Sequence, residues 1–169
     1  MSAKIATQPS LSEEQKREII QIASRYHKEP HQLMRILLDI QKITFNSIPR
    51  EAAVIISGET GIPEADLYEF ISFYAMISPE PRGRYVVRMC QSAPCHVTGA
   101  DAIMRAIVRT IGIQPGQTSD DGQFTLEYCQ CLGLCDSSPA IMINDRVYKD
   151  LTPGRVTTLM EDYQRGDIK

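Results

Sequence analysis

Apolar residues recur every three or four positions through the first half of the chain, which is the spacing of an amphipathic α-helix. Four such segments follow one another. They begin after Ser12, near Leu33, at Arg50 and at Pro63, and the third is expected to end near Ser57, against Gly58 and Gly61. Ser12 and Gln15 have the spacing of a capping box, which supports a helix start there. The pattern predicts a small helical bundle over residues 11–80, preceded by a flexible tail at residues 1–10.

Two prolines and a glycine at residues 79–83 predict a connection to a second segment with a different period. Residues 85–89 are interpreted as a buried strand and residues 102–113 as an amphipathic helix. Further strands are predicted at residues 124–128, 140–143 and 146–148, and a closing helix after Thr152. The residues after Cys90 and residues 114–122 are interpreted as loops. This order predicts a small mixed sheet with packed helices at residues 84–169, which makes the whole chain α+β.

Composition and charge exclude several classes of function. The 169 residues carry a formal net charge of −3 and a pI near 5.6, so the chain lacks the broad basic surface that nucleic acid binding requires. It contains no apolar stretch near the roughly 18 residues that would cross a bilayer, and its first residues do not read as a secretory signal. We therefore expect a cytoplasmic protein without direct membrane insertion. In a reducing compartment, five cysteines indicate metal binding or redox chemistry rather than disulfides.

Four cysteines follow the ends of two predicted strands. Cys90 and Cys95 come after the first strand, and Cys131 and Cys135 come after the second. Because a crossing helix places two parallel strands side by side, both pairs of thiols are expected at the same edge of the sheet. Two irons bridged by two sulfides need four terminal thiolates, two on each iron. The pattern therefore favours a 2Fe-2S cluster held by these four residues.

Other uses of the same cysteines remain open. Zinc would accept the same four thiolates in tetrahedral geometry, so the alternative is a zinc-stabilised protein-interaction module. Zinc knuckles more often contain Cys-x2-Cys turns, and neither pair here has that spacing. A thiol-disulfide enzyme is disfavoured because the chain has no Cys-x-x-Cys motif.

Several neighbouring residues are not assigned as ligands. Cys129 is interpreted as a small buried side chain, and His96 as a hydrogen-bonding or packing residue, since four cysteines already complete the set. Ser92 and Thr98 either donate to the cluster sulfurs or serve in a helix cap or turn. Four aromatic residues of the fourth predicted helix are interpreted mostly as core, namely Tyr68, Phe70, Phe73 and Tyr74. Docking of a partner is the alternative for some of them.

Six short motifs occur together in an order that is specific to one family. They are Ile48-Pro49, Phe73-Tyr74-Ala75, Cys90-x4-Cys95-His96, Asp121-Gly122-x-Phe124-x-Leu126, Cys131-Leu132-Gly133-x-Cys135 and Leu151-Thr152-Pro153. Over residues 12–165 the chain closely resembles the thioredoxin-like 2Fe-2S subunit of the NADH-dehydrogenase module of respiratory complex I. The same family includes small subunits of NAD(P)-linked iron-only hydrogenases, some of them electron-bifurcating, and of NAD-dependent formate dehydrogenases.

The resemblance implies a helical domain followed by a thioredoxin-like ferredoxin domain, with Cys90, Cys95, Cys131 and Cys135 holding one 2Fe-2S cluster. It also implies single-electron exchange with the FMN of a partner flavoprotein subunit that binds NAD(H), beside a larger iron-sulfur catalytic subunit. The chain itself has no Gly-x-Gly-x-x-Gly fingerprint for a dinucleotide. We therefore expect a non-catalytic electron-transfer subunit of an NAD(P)H-linked oxidoreductase, with no catalytic residue of its own.

The chain departs from the family motifs at two places. The first cysteine loop usually reads Cys-x-Gly-Thr-Ala-Cys, whereas Ser92, Ala93 and Pro94 precede Cys95 here. The second loop usually has Ala or Cys where Leu134 stands. Both departures lie beside the expected ligands and leave all four in place.

Overall fold

The computed structural model describes residues 10–168, and this part of the chain divides into two compact units between Pro81 and Arg82. The flexible tail predicted at residues 1–10 lies outside the described residues, except for Ser10. Within the described range, no helix is long and apolar enough to cross a membrane.

The described part of the first unit contains four α-helices and a short 3-10 helix at Pro30–Gln32. The α-helices are α1 (Glu13–Arg25), α2 (Leu33–Ile43), α3 (Arg50–Thr60) and α4 (Glu64–Phe73). The predicted capping box starts α1, because the Ser12 hydroxyl accepts from the N–H of Gln15 at 3.1 Å and the Gln15 side chain accepts from the N–H of Ser12 at 2.9 Å. The apolar faces of the four α-helices form one core that includes Ile19, Ile36, Ile40, Ile56 and Leu67.

Two details of this unit differ from the prediction. Helix α3 does not stop before Gly58 but continues to Thr60 and ends at Gly61, whose φ of 73° breaks the helix in the left-handed conformation. The aromatic residues of α4 are not mostly core, because Tyr68 and Phe73 are 65% and 79% exposed. Leu67 and Ile71 are the buried residues of α4. Phe70 and Tyr74 are partly buried and pack against the core of the first unit.

The second unit is a five-stranded sheet with helices packed on it. Its strands are β1 (Tyr85–Cys90), β2 (Gln117–Thr118), β3 (Phe124–Cys129), β4 (Ile141–Ile143) and β5 (Arg146–Tyr148). Its helices are α5 (Ala93–Val97), α6 (Ala100–Ile111) and α7 (Pro153–Arg165). The strand order is β2-β3-β1-β4-β5; β1 and β3 are parallel, and the other neighbours are antiparallel. This arrangement confirms the predicted mixed sheet of an α+β chain.

The helices α6 and α7 share one core with the sheet. Side chains from one face of β1, including Val87 and Met89, belong to the same buried cluster as Ile107 of α6 and Val156 and Met160 of α7. Alternate residues of a strand point to opposite faces, so Arg88 lies on the other face of β1, whereas Cys90 at the strand end also belongs to this core.

Two elements of this unit were predicted as loops. Helix α5 forms after Cys90 because Ser92 is extended at the N-cap and Pro94 stands in the first turn, where a missing N–H costs nothing. Strand β2 is a two-residue edge strand that pairs with Thr125 and Leu126 of β3. Such a short strand has no periodicity for the sequence to reveal.

Candidate functional site

The cysteines are brought together by the parallel pairing of β1 and β3. The register runs from Tyr85 opposite Phe124 to Cys90 opposite Cys129, so both strands end side by side at their carboxyl ends. The chain leaves β1 through Cys90 and leaves β3 toward Cys131. The predicted placement of both thiol pairs at one edge of the sheet is therefore confirmed at the level of the backbone.

The first pair of thiols is buried. Cys90 and Cys95 are each 2% exposed, and the first turn of α5 carries Cys95 back toward the strand end. The Cys95 thiol donates a hydrogen bond to the sulfur of Cys90. Burial and this bond together raise the pKa of the Cys95 thiol.

Hydrogen-bond donors surround these two sulfurs. Burial opposes ionisation of Cys90, but donation from the N–H and hydroxyl of Ser92 and from the N–H of Leu132 outweighs it, so the pKa of the Cys90 thiol is lowered. The N–H of Ala140 donates in the same way to Cys95. Donors of this kind stabilise negative charge on sulfur.

The second pair of thiols is exposed. The Sγ atoms of Cys131 and Cys135 are 3.8 Å apart, within sulfur hydrogen-bonding distance. Between them, Gly133 adopts a φ of 75° and donates its N–H to the Cys131 sulfur at 3.3 Å. A glycine suits this position because other residues rarely adopt the left-handed conformation. The hydrogen bond with Cys131 also raises the pKa of the Cys135 thiol.

The two pairs are neighbours in space. Negative charge on Cys135 acts to raise the pKa of Cys95, and charge on Cys90 acts likewise on Cys135. Within residues 10–168, however, no three His, Cys, Asp or Glu side chains already stand in a metal-binding arrangement. The structure therefore shows two adjacent pairs of free thiols rather than four converged sulfurs.

The donor chemistry fits a 2Fe-2S cluster. Such clusters take thiolates as terminal ligands, and their sulfurs are tuned by surrounding hydrogen bonds. Here two pairs of thiols lie at adjoining strand ends, and backbone N–H groups are aimed at three of the four sulfurs. The assignment of Cys90, Cys95, Cys131 and Cys135 as ligands stays a prediction.

The fifth cysteine has a different environment. Cys129 is half-buried at the end of β3 and packs against the core of the second unit. Burial, with a smaller contribution from charge on Cys90, raises the pKa of the Cys129 thiol to about 11. This environment agrees with the interpretation of Cys129 as a packing residue, and its exclusion from the ligand set remains a prediction.

Ser92 and Thr98 take different roles: one donates to a cysteine sulfur, and the other caps a helix. Ser92 directs both its donors at Cys90, whereas the Thr98 hydroxyl donates to the carbonyls of Pro94 and Cys95 at 3.0 and 3.1 Å. Thr98 therefore closes the end of α5. His96 is mostly exposed, with its Nδ1 atom 3.5 Å from a carboxylate oxygen of Asp101.

Two donors of the site were missed from the sequence. Leu132 and Ala140 act through their backbone N–H groups, which every residue except proline possesses, so the side chains give no signal. Ala140 follows Pro139, whose carbonyl accepts from the N–H of Leu151 and whose peptide bond with Ser138 is cis. Only the folded chain reveals these contacts.

Comparison with known proteins identifies relatives over most of the chain. The profile of the family described as thioredoxin-like 2Fe-2S ferredoxin matches residues 19–164. One NADH-quinone oxidoreductase subunit, from Salmonella typhimurium, is 36% identical over 148 residues, which cover 88% of this chain and 89% of that protein. The NADP-reducing hydrogenase subunit HndA of Solidesulfovibrio fructosivorans is 32% identical over 87% of this chain and 85% of its own length.

A solved structure agrees with these relatives. The crystal structure of an NAD+-reducing NiFe-hydrogenase in the air-oxidised state matches 77% of this chain with a TM-score of 0.68 and 26% identity. The match covers only 23% of the hydrogenase chain, so this protein spans less than a quarter of it. The two matched subunits, by contrast, are covered over most of their length. This chain belongs to the thioredoxin-like 2Fe-2S ferredoxin family.

Proposed function

We propose that this chain is the 2Fe-2S electron-transfer subunit of an NAD(P)H-linked flavoprotein oxidoreductase. In this role it exchanges single electrons with FMN on a partner subunit. The observation that carries the proposal is that two pairs of thiols lie at adjoining strand ends. Backbone N–H groups donate to the sulfurs of Cys90, Cys95 and Cys131. When bound, a 2Fe-2S cluster supplies reversible one-electron transfer.

The residues of this chain would hold and tune the cluster. Cys90, Cys95, Cys131 and Cys135 supply the four thiolates, and the N–H groups around them stabilise negative charge on sulfur. The first pair is buried and the second is exposed. The exposed pair therefore marks the side from which a partner's redox group would approach.

The partners are inferred from the relatives. The names of the matched proteins describe subunits of NADH-quinone oxidoreductase and of an NADP-reducing hydrogenase. We accordingly place FMN and NAD(H) on a flavoprotein subunit, with a larger iron-sulfur catalytic subunit in the same complex. The isolated chain is then non-catalytic, and we infer that the assembly is cytoplasmic, as expected from the sequence.

The cluster is tested on the full chain, purified without oxygen. Iron and acid-labile sulfide are expected at about two each per chain. Dithionite should bleach the visible absorption and produce an electron paramagnetic resonance signal. A colourless protein with stoichiometric zinc, which unfolds on chelation, would contradict the proposal and support the zinc-stabilised interaction module instead.

The electron-transfer role needs the native assembly. We expect a tagged chain to co-purify with a flavin-containing subunit that releases FMN on denaturation. Addition of NADH or NADPH should produce the reduced cluster signal in the assembly and leave the isolated chain oxidised. An isolated chain that is reduced directly by either nucleotide would refute the assignment of nucleotide and flavin to a partner.

A further inference from the structure

Three charged side chains form a linked group, one each from β1, β3 and the segment that leads into β1. The Nε atom of Arg88 lies 2.7 Å from one carboxylate oxygen of Glu127, and an Nη atom of Arg82 lies 3.2 Å from the other oxygen. The side chains of Arg82, Arg88 and Glu127 are only 11%, 15% and 20% exposed. One carboxylate is thus shared by two guanidinium groups, which leaves an excess of positive charge in this triad.

Arg88 and Glu127 lie near the cysteine end of the sheet, and the Arg82 side chain reaches Glu127 from the segment before β1. Arg88 is directly opposite Glu127 in the parallel pair, and Cys90 is opposite Cys129 two positions further along. Arg88 precedes Cys90 by two residues, about 6.6 Å along the strand, and its positive charge acts on Cys129, which is opposite Cys90. Met142 of β4 flanks Arg88 on its other side.

Burial limits the screening of this positive charge by water and salt. Side chains that are mostly buried are screened much less by salt than exposed ones, and their charges act through a lower effective dielectric constant. Reduction of a 2Fe-2S cluster adds one negative charge at the cysteine end of β1. An excess of positive charge two residues away therefore favours the reduced state.

We propose that the Arg82–Glu127–Arg88 triad raises the reduction potential of the cluster through its excess of positive charge. The cluster is the one proposed to be held by Cys90 and the other three ligand cysteines. This inference rests on the proposed function. Its competitor is a purely structural role, in which the ion pairs stabilise the pairing of β1 with β3 and leave the potential unaffected.

Charge-changing variants of the full chain separate the two roles. Arg88→Gln removes a positive charge and should shift the midpoint potential downward, whereas Glu127→Gln removes the negative charge and should shift it upward. Each shift should change the one-electron equilibrium by about three- to tenfold, where tenfold corresponds to about 59 mV. The double variant restores the excess of positive charge and should return close to the wild-type potential.

Two further variants serve as controls. Arg88→Lys keeps the charge and should keep the potential, even if the altered geometry lowers the unfolding temperature. Arg165→Gln makes the same charge change in an exposed arginine that pairs with Asp162 and Asp167. It lies at the far end of α7, where the carbonyl of Ile168 accepts from Tyr85 at the opposite end of β1 from Cys90. Its potential should match the wild type.

The measurement is a redox titration followed by paramagnetic resonance, with iron content and thermal unfolding recorded for every variant. Opposite shifts for Arg88→Gln and Glu127→Gln, with the double variant and Arg165→Gln unshifted, support the inference. Equal shifts, or none, in folded variants that retain their iron overturn the inference and leave the proposed function intact. Absence of iron and sulfide from the wild-type chain refutes the proposed function, and this inference with it.

Discussion

Cys90 and Cys129 face each other across the last register position of β1 and β3, yet their thiols have opposite tendencies to ionise. Hydrogen bonds from Ser92 and Leu132 lower the pKa of Cys90, whereas burial raises the pKa of Cys129 to about 11. Adjacency in the sheet therefore does not give two cysteines the same surroundings. The donors around each sulfur distinguish the two cysteines.

The first prediction concerns the ligand set. Cys131→Ser or Cys95→Ser should abolish the normal cluster, because each removes one of four terminal thiolates. Cys129→Ser is the matched control and should retain the cluster with an unchanged spectrum. The measurements are iron content, visible absorption and the paramagnetic resonance signal of the reduced chain. An intact spectrum for Cys131→Ser would overturn the assignment.

Much of the fold follows from periodicity in the sequence. The capping box at Ser12 and Gln15 and the buried strand that ends at Cys90 are both strong local signals, and the structure contains both. Helix α5 and strand β2 are too short to produce a period, and Gly58 is a typical helix end in sequence although α3 passes through it. Their conformations depend on tertiary context, which outweighs local preference.

The site divides in the same way. The spacing of the four cysteines and the βαβ connection suffice to place two thiol pairs at one edge of the sheet. The N–H donors of Leu132 and Ala140 and the shared carboxylate of Glu127 depend on how the chain folds around them. The edge of the sheet at which the cysteines lie can therefore be inferred from the sequence. The hydrogen bonds and charges around the sulfurs are visible only in the folded structure.

The second prediction concerns the donors to Cys90. Ser92→Ala removes a hydroxyl that donates to this sulfur, so it should lower the midpoint potential of the cluster by reducing the stabilisation of negative charge. Thr98→Val is the matched control, because the Thr98 hydroxyl donates to backbone carbonyls of α5 rather than to sulfur. A redox titration of both variants checks the difference. An equal potential for Ser92→Ala and wild type would exclude this role for the hydroxyl.

The third prediction concerns acid stability of the first unit. The hydroxyl of Tyr26 donates to a carboxylate oxygen of Asp39 at 2.7 Å, and this bond, together with Lys42, lowers the pKa of Asp39. The unfolded chain therefore binds the Asp39 proton more readily than the folded chain does. The resulting stabilisation is fully present above the ordinary aspartate pKa near 3.8 and is lost as the pH falls through the lower, folded value.

Tyr26→Phe should accordingly lower the unfolding temperature at pH 7 and flatten its decline below about pH 4. Tyr68→Phe removes a hydroxyl from an exposed tyrosine of the same unit and serves as the control. Thermal unfolding of the full chain between about pH 2 and pH 7 provides the measurement. Parallel pH profiles for Tyr26→Phe and wild type would show that the hydrogen bond does not stabilise the ionised carboxylate.

The fourth prediction concerns the close approach of Gly83 to β3. A Cβ atom at this position would lie 2.6 Å from the backbone carbonyl carbon of Phe124, while the N–H of Gly83 donates to the Thr125 hydroxyl at 2.6 Å. Because the obstacle is backbone, no side-chain rotation relieves the clash. Gly83→Ala should therefore reduce the free energy of unfolding by about 1–3 kcal/mol.

Gly154→Ala is the matched control for this change. An added Cβ at Gly154, in the first turn of α7, meets no atom within 4 Å, and alanine is the better helix former. The free energy of unfolding of this variant should be unchanged or higher by up to about 1 kcal/mol. Urea unfolding followed by circular dichroism compares the two variants. If Gly83→Ala proves as stable as Gly154→Ala, the segment around Gly83 that leads into β1 is free to move away from β3. The contact at Gly83 then does not fix the register of the two strands that carry the cysteines.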